Sequence, residues 1–240
     1  MQSCNYFIIQ RSNPASRPCL DEEARHALQV LRKRPGDRID LVDGKGGWYE
    51  GIIVDANKRE CTIEATLLRQ ENHRTPYRLI MAVSPTKSNE RFEWFLEKAV
   101  EIGVDEIYPL ECKRTERPKI RNDRYEKVLV SAMKQSLQAW LPQLHPMTPL
   151  KTLLAQTTAV PQRYIGWCTD DQRSELIHTC EAGKDVCICI GPEGDFTDAE
   201  AALAQQAGVV PVSLKPNRLR TETAALSATQ LRAFINQIKV

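Results

Sequence analysis

Three stretches of the chain combine glycine, proline and polar residues directly after short apolar runs. They are Ser84-Pro85-Thr86-Lys87-Ser88-Asn89, Gly191-Pro192-Glu193-Gly194-Asp195-Phe196, and the segment from Lys215 to Thr223 after Leu214. If the apolar runs are strands of a parallel sheet, these stretches lie at the carboxyl ends of the strands, where open α/β sheets bind their ligands. Gly191 and Gly194 have no side chains, so a ligand can approach the backbone closely there. Pro192 stiffens the turn between them. Thr197 and Glu200 match the T-x-x-E capping box that opens a helix. A plain strand-to-helix turn accounts for the same residues at least as well, so the stretches alone name no reaction.

Several chemistries are disfavoured. No strand is followed by G-x-G-x-x-G and no P-loop lysine motif occurs, which speaks against the common nicotinamide and ATP enzymes. The eight cysteines form no C-x-x-C pair and show no Cys/His ligand spacing, so no zinc or other metal site is expected. Cys187 and Cys189 alternate within Val186–Ile190 and share one strand face, as buried thiols rather than a redox pair. The net charge of +2 says little about partners. Its distribution says more: Arg32, Lys33, Arg34 and Arg38 form one cluster, and Lys113, Arg114, Arg117, Lys119, Arg121 and Arg124 form another. Such clusters attract phosphate backbones, although a solvated charged face reads the same way. No run is long enough for a membrane span, and residues 1–10 show no signal peptide. A cytoplasmic protein with reduced thiols is expected.

These residues must be positioned by two kinds of element. Over residues 1–70, strands are expected at Tyr6–Ile9, Arg38–Asp43, Trp48–Val54 and Cys61–Leu68. Gly44–Gly47 forms a turn, and a helix is expected over Asp21–Arg34. That combination fits a small β-barrel. The polar stretch Gln70–Pro76 is the candidate linker. From 76 to 240 the pattern alternates, which predicts an α/β domain with a largely parallel sheet. Its expected strands are Tyr77–Val83, Glu106–Leu110, Tyr164–Trp167, Val186–Ile190 and Val209–Leu214. Helices are expected at Arg91–Ile102, with Gly103 as its stop, at Asp123–Ala139 and at Thr221–Ile238. The last helix carries Ala224, Ala228, Leu231, Ile235 and Ile238 as a stripe that fits either core packing or a dimer seam.

Ile190-Gly191-Pro192-Glu193-Gly194-Asp195-Phe196 and Leu219-Arg220-Thr221-Glu222-Thr223-Ala224-Ala225 closely resemble the bacterial ribosomal RNA uridine-N3 methyltransferases of the RsmE type. These belong to the SPOUT, or α/β-knot, superfamily. Glu97-Lys98-Ala99-Val100-Glu101-Ile102-Gly103-Val104 looks like that family's first catalytic-domain helix. The N-terminal stretch from Arg25 to Arg32, Gly36-Asp37 and Asp43-Gly44 looks like its RNA-binding domain. The likeness spans nearly the whole chain in order. Two positions depart from it. The family's Gln-Ser-Gly-Arg is Gln135-Ser136-Leu137-Gln138 here, and its Gly-Pro is Lys215-Pro216.

The resemblance implies a PUA-like N-terminal β-barrel (1–70) and a C-terminal α/β-knot domain (76–240) with a deep trefoil knot. It also implies a homodimer and S-adenosylmethionine as the methyl donor. The cofactor would be held by Ile190, Gly191, Pro192, Glu193, Gly194, Leu214, Asn217, Leu219, Thr221 and Thr223. The substrate would be a uridine of 16S rRNA, within the small ribosomal subunit. A nearby arginine would stabilise charge on the uracil as its N3 proton leaves, with Arg220 the first candidate and Arg218 the second. Glu222 could take that proton or cap the last helix. Candidate RNA contacts are His26, Arg32, Lys33, Arg114, Arg117, Gln135 and Ser136. Two other readings share the fold: a methyltransferase acting on a ribose 2′-hydroxyl or on tRNA, and a non-catalytic RNA-binding protein.

Overall fold

Alternation of apolar and polar residues builds the N-terminal sheet. The computed structural model describes residues 6–8, 17–18, 28, 32–56, 61–72, 75–167, 174–214 and 217–238. They group into two units, 1–74 with 130–141, and 75–129 with 142–240. In the first unit the strands are β1 (Tyr6–Ile8), β2 (Arg17–Pro18), β3 (Arg38–Val42), β4 (Gly47–Ala56) and β5 (Cys61–Gln70). Their order is β1-β3-β4-β5-β2, with β1 parallel to β3 and the other pairings antiparallel. Phe7, Ile39, Leu41, Tyr49, Ile53 and Ile63 form its core. Burying a side chain of this size is worth about 1.5–3 kcal/mol.

The β3–β4 turn is organised by Asp43, which accepts the amide hydrogens of Lys45 (2.8 Å) and Gly47 (2.9 Å) and the hydroxyl of Tyr49 (3.0 Å). Residues 139–141 pack against this turn. Gly46 donates to the Ala139 carbonyl at 2.9 Å and Leu141 to the Gly44 carbonyl at 3.0 Å. A side chain at Gly46 would strike Trp140, whose Cζ2 lies 2.6 Å from the Cβ position. Of the helix expected over 21–34, residues 32–34 are not helical. Arg32 has φ 55°, and Asp37 accepts the Arg34 amide at 2.8 Å to start a turn. The rest of that expectation, apart from Leu28, lies outside the described residues.

In the second unit the elements are β6 (Leu79–Val83), α1 (Asn89–Ile102), β7 (Glu106–Glu111), α2 (Asn122–Gln135), β8 (Gln143–Leu144), β9 (Thr148–Pro149), α3 (Leu150–Gln156), β10 (Gln162–Gly166), α4 (Leu176–Thr179), β11 (Val186–Ile190), α5 (Asp198–Gln206), β12 (Val210–Val212) and α6 (Thr221–Ile238). The sheet is parallel, in the order β12-β10-β11-β6-β7-β8, with β9 also on β7. Every residue of β6 and β11 is buried, as central parallel strands require, and Cys187 and Cys189 are buried free thiols. Helix α1 buries Phe92, Phe95, Leu96, Ala99 and Val100 and stops at Gly103, whose φ is 125°.

Helix α2 ends at Gln135, not Ala139. Leu137 takes φ 54°, its amide bonds the Lys134 carbonyl at 3.2 Å, and the Gln138 amide bonds the Met133 carbonyl at 3.0 Å. This is a Schellman stop, in which glycine usually fills the left-handed position. The last turns of α2 and the segment to Leu141 group with the N-terminal unit.

Helix α6 buries Thr221, Glu222, Ala225, Ala228, Thr229, Arg232, Ile235 and Asn236. Of the apolar stripe expected there, Ala228 and Ile235 are buried, while Ile238 is 77% exposed. A wholly buried Arg232 occupies the face between them. Its guanidinium donates to the carbonyls of Glu181 (2.6 Å) and Lys184, and lies 4.5 Å from the Tyr77 ring centroid. Asn236 accepts the Gly183 amide at 2.8 Å. The last helix thereby holds the turn that leads into β11.

Candidate active site

Strand β11 delivers Ile190 to the carboxyl edge of the sheet, and the chain then turns sharply. Asp195 donates its amide to the Pro192 carbonyl (2.9 Å) and takes φ 61°. A short polar side chain tolerates that conformation, and here the Asp195 carboxylate also accepts the Phe196 amide at 2.8 Å. Phe196 is buried under the turn, so Gly191 has no room for a side chain: a Cβ there would lie 3.0 Å from the ring carbons Cδ2 and Cε2. Thr197 and Glu200 form the expected capping box of α5, with Thr197 Oγ1 accepting the Glu200 amide and Glu200 Oε2 accepting the Thr197 amide. Burial opposes ionisation of Glu200. Hydrogen bonds from the Thr197 and Lys113 amides outweigh it and hold its pKa below the usual glutamate value.

Three neighbouring segments tie this turn in place. Ser84 donates its amide to the Ile190 carbonyl at 3.0 Å, and Lys87 donates its amide to Glu193 Oε1 at 2.9 Å. Thr221, at the start of α6, donates its hydroxyl to the Gly191 carbonyl at 3.1 Å. The result is a concave pocket of about 310 Å³ lined by Gly166, Ile190, Gly191, Pro192, Glu193, Asp195, Arg218, Leu219, Arg220, Thr221 and Ala224. That volume suits a small-molecule cofactor. The lining combines peptide backbone, an aliphatic wall and two arginines. Glu193 Oε2 is buried here with no hydrogen-bond partner. A polar hydrogen of a bound molecule would satisfy it.

Of the residues singled out in the sequence, Ile190, Gly191, Pro192, Glu193, Leu219, Thr221, Arg218 and Arg220 meet around this pocket. Leu214 stands behind it, its Cδ1 4.0 Å from the Cβ position of Gly166. Gly194 lies beside it, under Arg114. Asn217 and Thr223 are exposed and are not in the lining. Glu222 is buried but also outside the lining: its Oε1 is 3.8 Å from Arg91 Nε and its Oε2 has no partner. Lys33 donates to the Arg38 carbonyl at 3.1 Å, and Arg32 is exposed. Arg117 is half-buried and Gln135 exposed. The Ser136 hydroxyl is spent on the Ala132 carbonyl at 2.7 Å. His26, Lys215 and Pro216 lie outside the described residues.

Sequence reasoning missed Gly166, and it named Asp195 and Ala224 within the motifs without assigning them to the site. Gly166 ends β10, and a Cβ there would come within 3.1 Å of Ile190 Cδ1. Its only sequence signal is a glycine closing an apolar run.

Comparison with known proteins agrees with this geometry. Residues 73–233 match the family model described as an RNA methyltransferase domain, and residues 20–66 match one described as an RNA methyltransferase PUA domain. These matches define an RNA methyltransferase domain preceded by a PUA domain. The ribosomal RNA small subunit methyltransferase E of Bacillus subtilis is 27% identical over 232 residues, covering 90% of this chain and 89% of its own. A solved structure described as a probable rRNA-methyltransferase from Porphyromonas gingivalis is 38% identical, with TM-score 0.89, covering 98% of this chain and 100% of its own. The Neisseria gonorrhoeae ribosomal RNA small subunit methyltransferase E, solved bound to S-adenosyl methionine, is 26% identical with TM-score 0.81, covering 97% and 98%. The chain belongs to this RNA methyltransferase family, the one that includes ribosomal RNA small subunit methyltransferase E.

Proposed function

We propose that the protein transfers a methyl group from S-adenosylmethionine to N3 of a uridine in 16S rRNA, within the small ribosomal subunit. The observation that carries this reading is the pocket, with its glycine-rich backbone wall, its unpartnered Glu193 oxygen and two arginines. When bound, the sulfonium supplies an electrophilic methyl group. The chain must supply position and charge stabilisation. Backbone groups of Gly191–Glu193, Leu219 and Thr221, with Gly166 as floor, would hold the cofactor. Arg220 is exposed and borders the pocket, so its guanidinium can meet the negative charge that spreads over the uracil carbonyls as N3 loses its proton. Of the three nearby carboxylates, Glu193 and Asp195 line the pocket and Glu222 does not, and Asp195 already accepts the Phe196 amide. We therefore assign Glu193 to the polar hydrogens of the bound molecules and Glu222 to support of α6.

N3 lies on the Watson–Crick edge, so the target base must be unpaired or extruded. In this reading residues 1–70 form the RNA-gripping barrel and 76–240 the catalytic domain. His26, Arg32, Lys33, Arg114, Arg117, Gln135 and Ser136 would serve the flanking RNA. The exposed apolar side chains Trp94 on α1 and Phe234 and Ile238 on α6, helices that pack together, support a homodimer with this face covered. A deep trefoil knot near the C-terminus and a cytoplasmic location complete the reading.

The test is methyl transfer from labelled cofactor to small ribosomal subunits lacking the modification, followed by nucleoside mass spectrometry. Label in 3-methyluridine is the expected result. Label in a 2′-O-methylated nucleoside, or in tRNA but not the subunit, would replace the substrate assignment. Absence of cofactor binding would overturn the enzyme reading.

A further inference from the structure

We propose that Arg114 is a positioning residue for the cofactor loop, acting through the carbonyl of Gly194. The inference rests on the reading of the pocket as the S-adenosylmethionine site. Arg114 belongs to the segment between β7 and α2, far from Gly194 in sequence, yet its guanidinium donates to the Gly194 carbonyl at 2.6 Å. Its aliphatic stem also covers Gly194, with Cδ 3.1 Å from where a Cβ would stand. A side chain at 194 would push the arginine off.

The neighbouring residue makes a second tie. Lys113 donates its amide to Glu200 Oε1 at 2.7 Å, while the other oxygen of that carboxylate accepts the Thr197 amide and hydroxyl, both at 2.8 Å. The segment from 112 to 115 is itself anchored: Thr115 Oγ1 accepts the Cys112 amide at 2.8 Å and lies 2.9 Å from Ser84 Oγ. A short, fixed turn thus grips the 193–200 segment at two points.

The grip matters because the Pro192–Asp195 turn contains a residue in the left-handed region, Asp195 at φ 61°. The Asp195 amide, bonded to the Pro192 carbonyl, holds one side of the Gly194–Asp195 peptide plane, and the charge-assisted bond from Arg114 to the Gly194 carbonyl holds the other. With it are fixed the flanking residues Glu193 and Asp195, both of which line the pocket. Arg114 never touches the pocket and need not touch substrate. Its guanidinium has donors left over and the residue is exposed, so contact with RNA phosphate is compatible with this role.

The test compares the parent protein with Arg114→Met, which keeps the stem and removes the donors, and Arg114→Lys, which restores one. Calorimetry gives the affinity for S-adenosylmethionine, and steady-state assays on small subunits give KM for cofactor and kcat. The Met variant should bind cofactor about tenfold more weakly. Its cofactor KM should rise by the same factor, while kcat with both cofactor and small subunits saturating stays within about twofold. The Lys variant should recover most of the loss. A Met variant that binds cofactor as the parent does, with only salt-sensitive RNA binding weakened, would overturn the proposal and leave Arg114 as a phosphate contact. A matched loss in both variants, with lowered melting temperature, would also overturn it by making the role one of folding. Failure of the parent itself to bind the cofactor would remove the pocket reading and the proposal with it.

Discussion

Gly191→Ala tests whether the shape of the pocket loop is set by the ring beneath it. The added methyl would lie 3.0 Å from Cδ2 and Cε2 of Phe196 and 3.2 Å from its amide nitrogen. Comfortable carbon contacts are about 3.5–4.0 Å, so the overlap is roughly 0.5–1 Å. Phe196 is 2% exposed and held among core residues, so neither ring nor backbone can retreat freely. Overpacking of this kind costs about 1–3 kcal/mol. In a chain of this length, that lowers Tm by roughly 2–12 °C. Calorimetric melting reads the effect, and cofactor titration should show weakened binding in parallel. The cause can be isolated with Phe196→Leu, which removes the ring carbons at issue. The double variant should be more stable than the sum of the single changes by about 1 kcal/mol. An unchanged melting temperature for Gly191→Ala, or strict additivity with Phe196→Leu, would refute the steric argument.

Three further outcomes are expected. Leu137→Gly should raise stability by about 0.5–1 kcal/mol, because Leu137 holds a left-handed conformation at the end of α2, and denaturant midpoints will show it. Glu200 has a folded pKa below its unfolded value of about 4.3, so its carboxylate stabilises the fold fully above that value and ceases to do so as pH falls through the folded one. The melting-temperature gap between parent and Glu200→Gln should therefore be widest near neutrality and close below about pH 4; a gap that widens in acid would contradict the assignment. Arg220→Met should lower kcat about a hundredfold with cofactor affinity little changed, and a rise in cofactor KM alone would reassign this residue to binding.

Much of the fold was legible because its causes are local. Val186–Ile190 and Thr221–Ile238 were bounded by pattern alone, and the Thr197–Glu200 capping box involves residues three apart. The loops that carry Gly191–Glu193 and Leu219–Thr221 were legible once the strands were placed, because parallel sheets bind at one edge, but the individual residues came from the family resemblance. What escaped was non-local or contrary to residue type. Leu137 ends a helix where a side chain is disfavoured, so the pattern ran on to Ala139. Arg232 reads as a solvent-facing cation, yet carbonyls of a distant turn draw it inside. Glu222 sat beside the cofactor motif in sequence, but helical geometry turned it toward Arg91. The bond from Arg114 to Gly194 links residues 80 apart, and no window of sequence reports it.

The buried Arg232 also bears on the order in which this protein can be completed. A nascent chain emerges with its N-terminus first. The carbonyls of Glu181 and Lys184 are translated well before the guanidinium that receives them, and until then only water can serve them. The turn into β11 therefore cannot reach its finished state while residue 232 is still unmade or inside the ribosome.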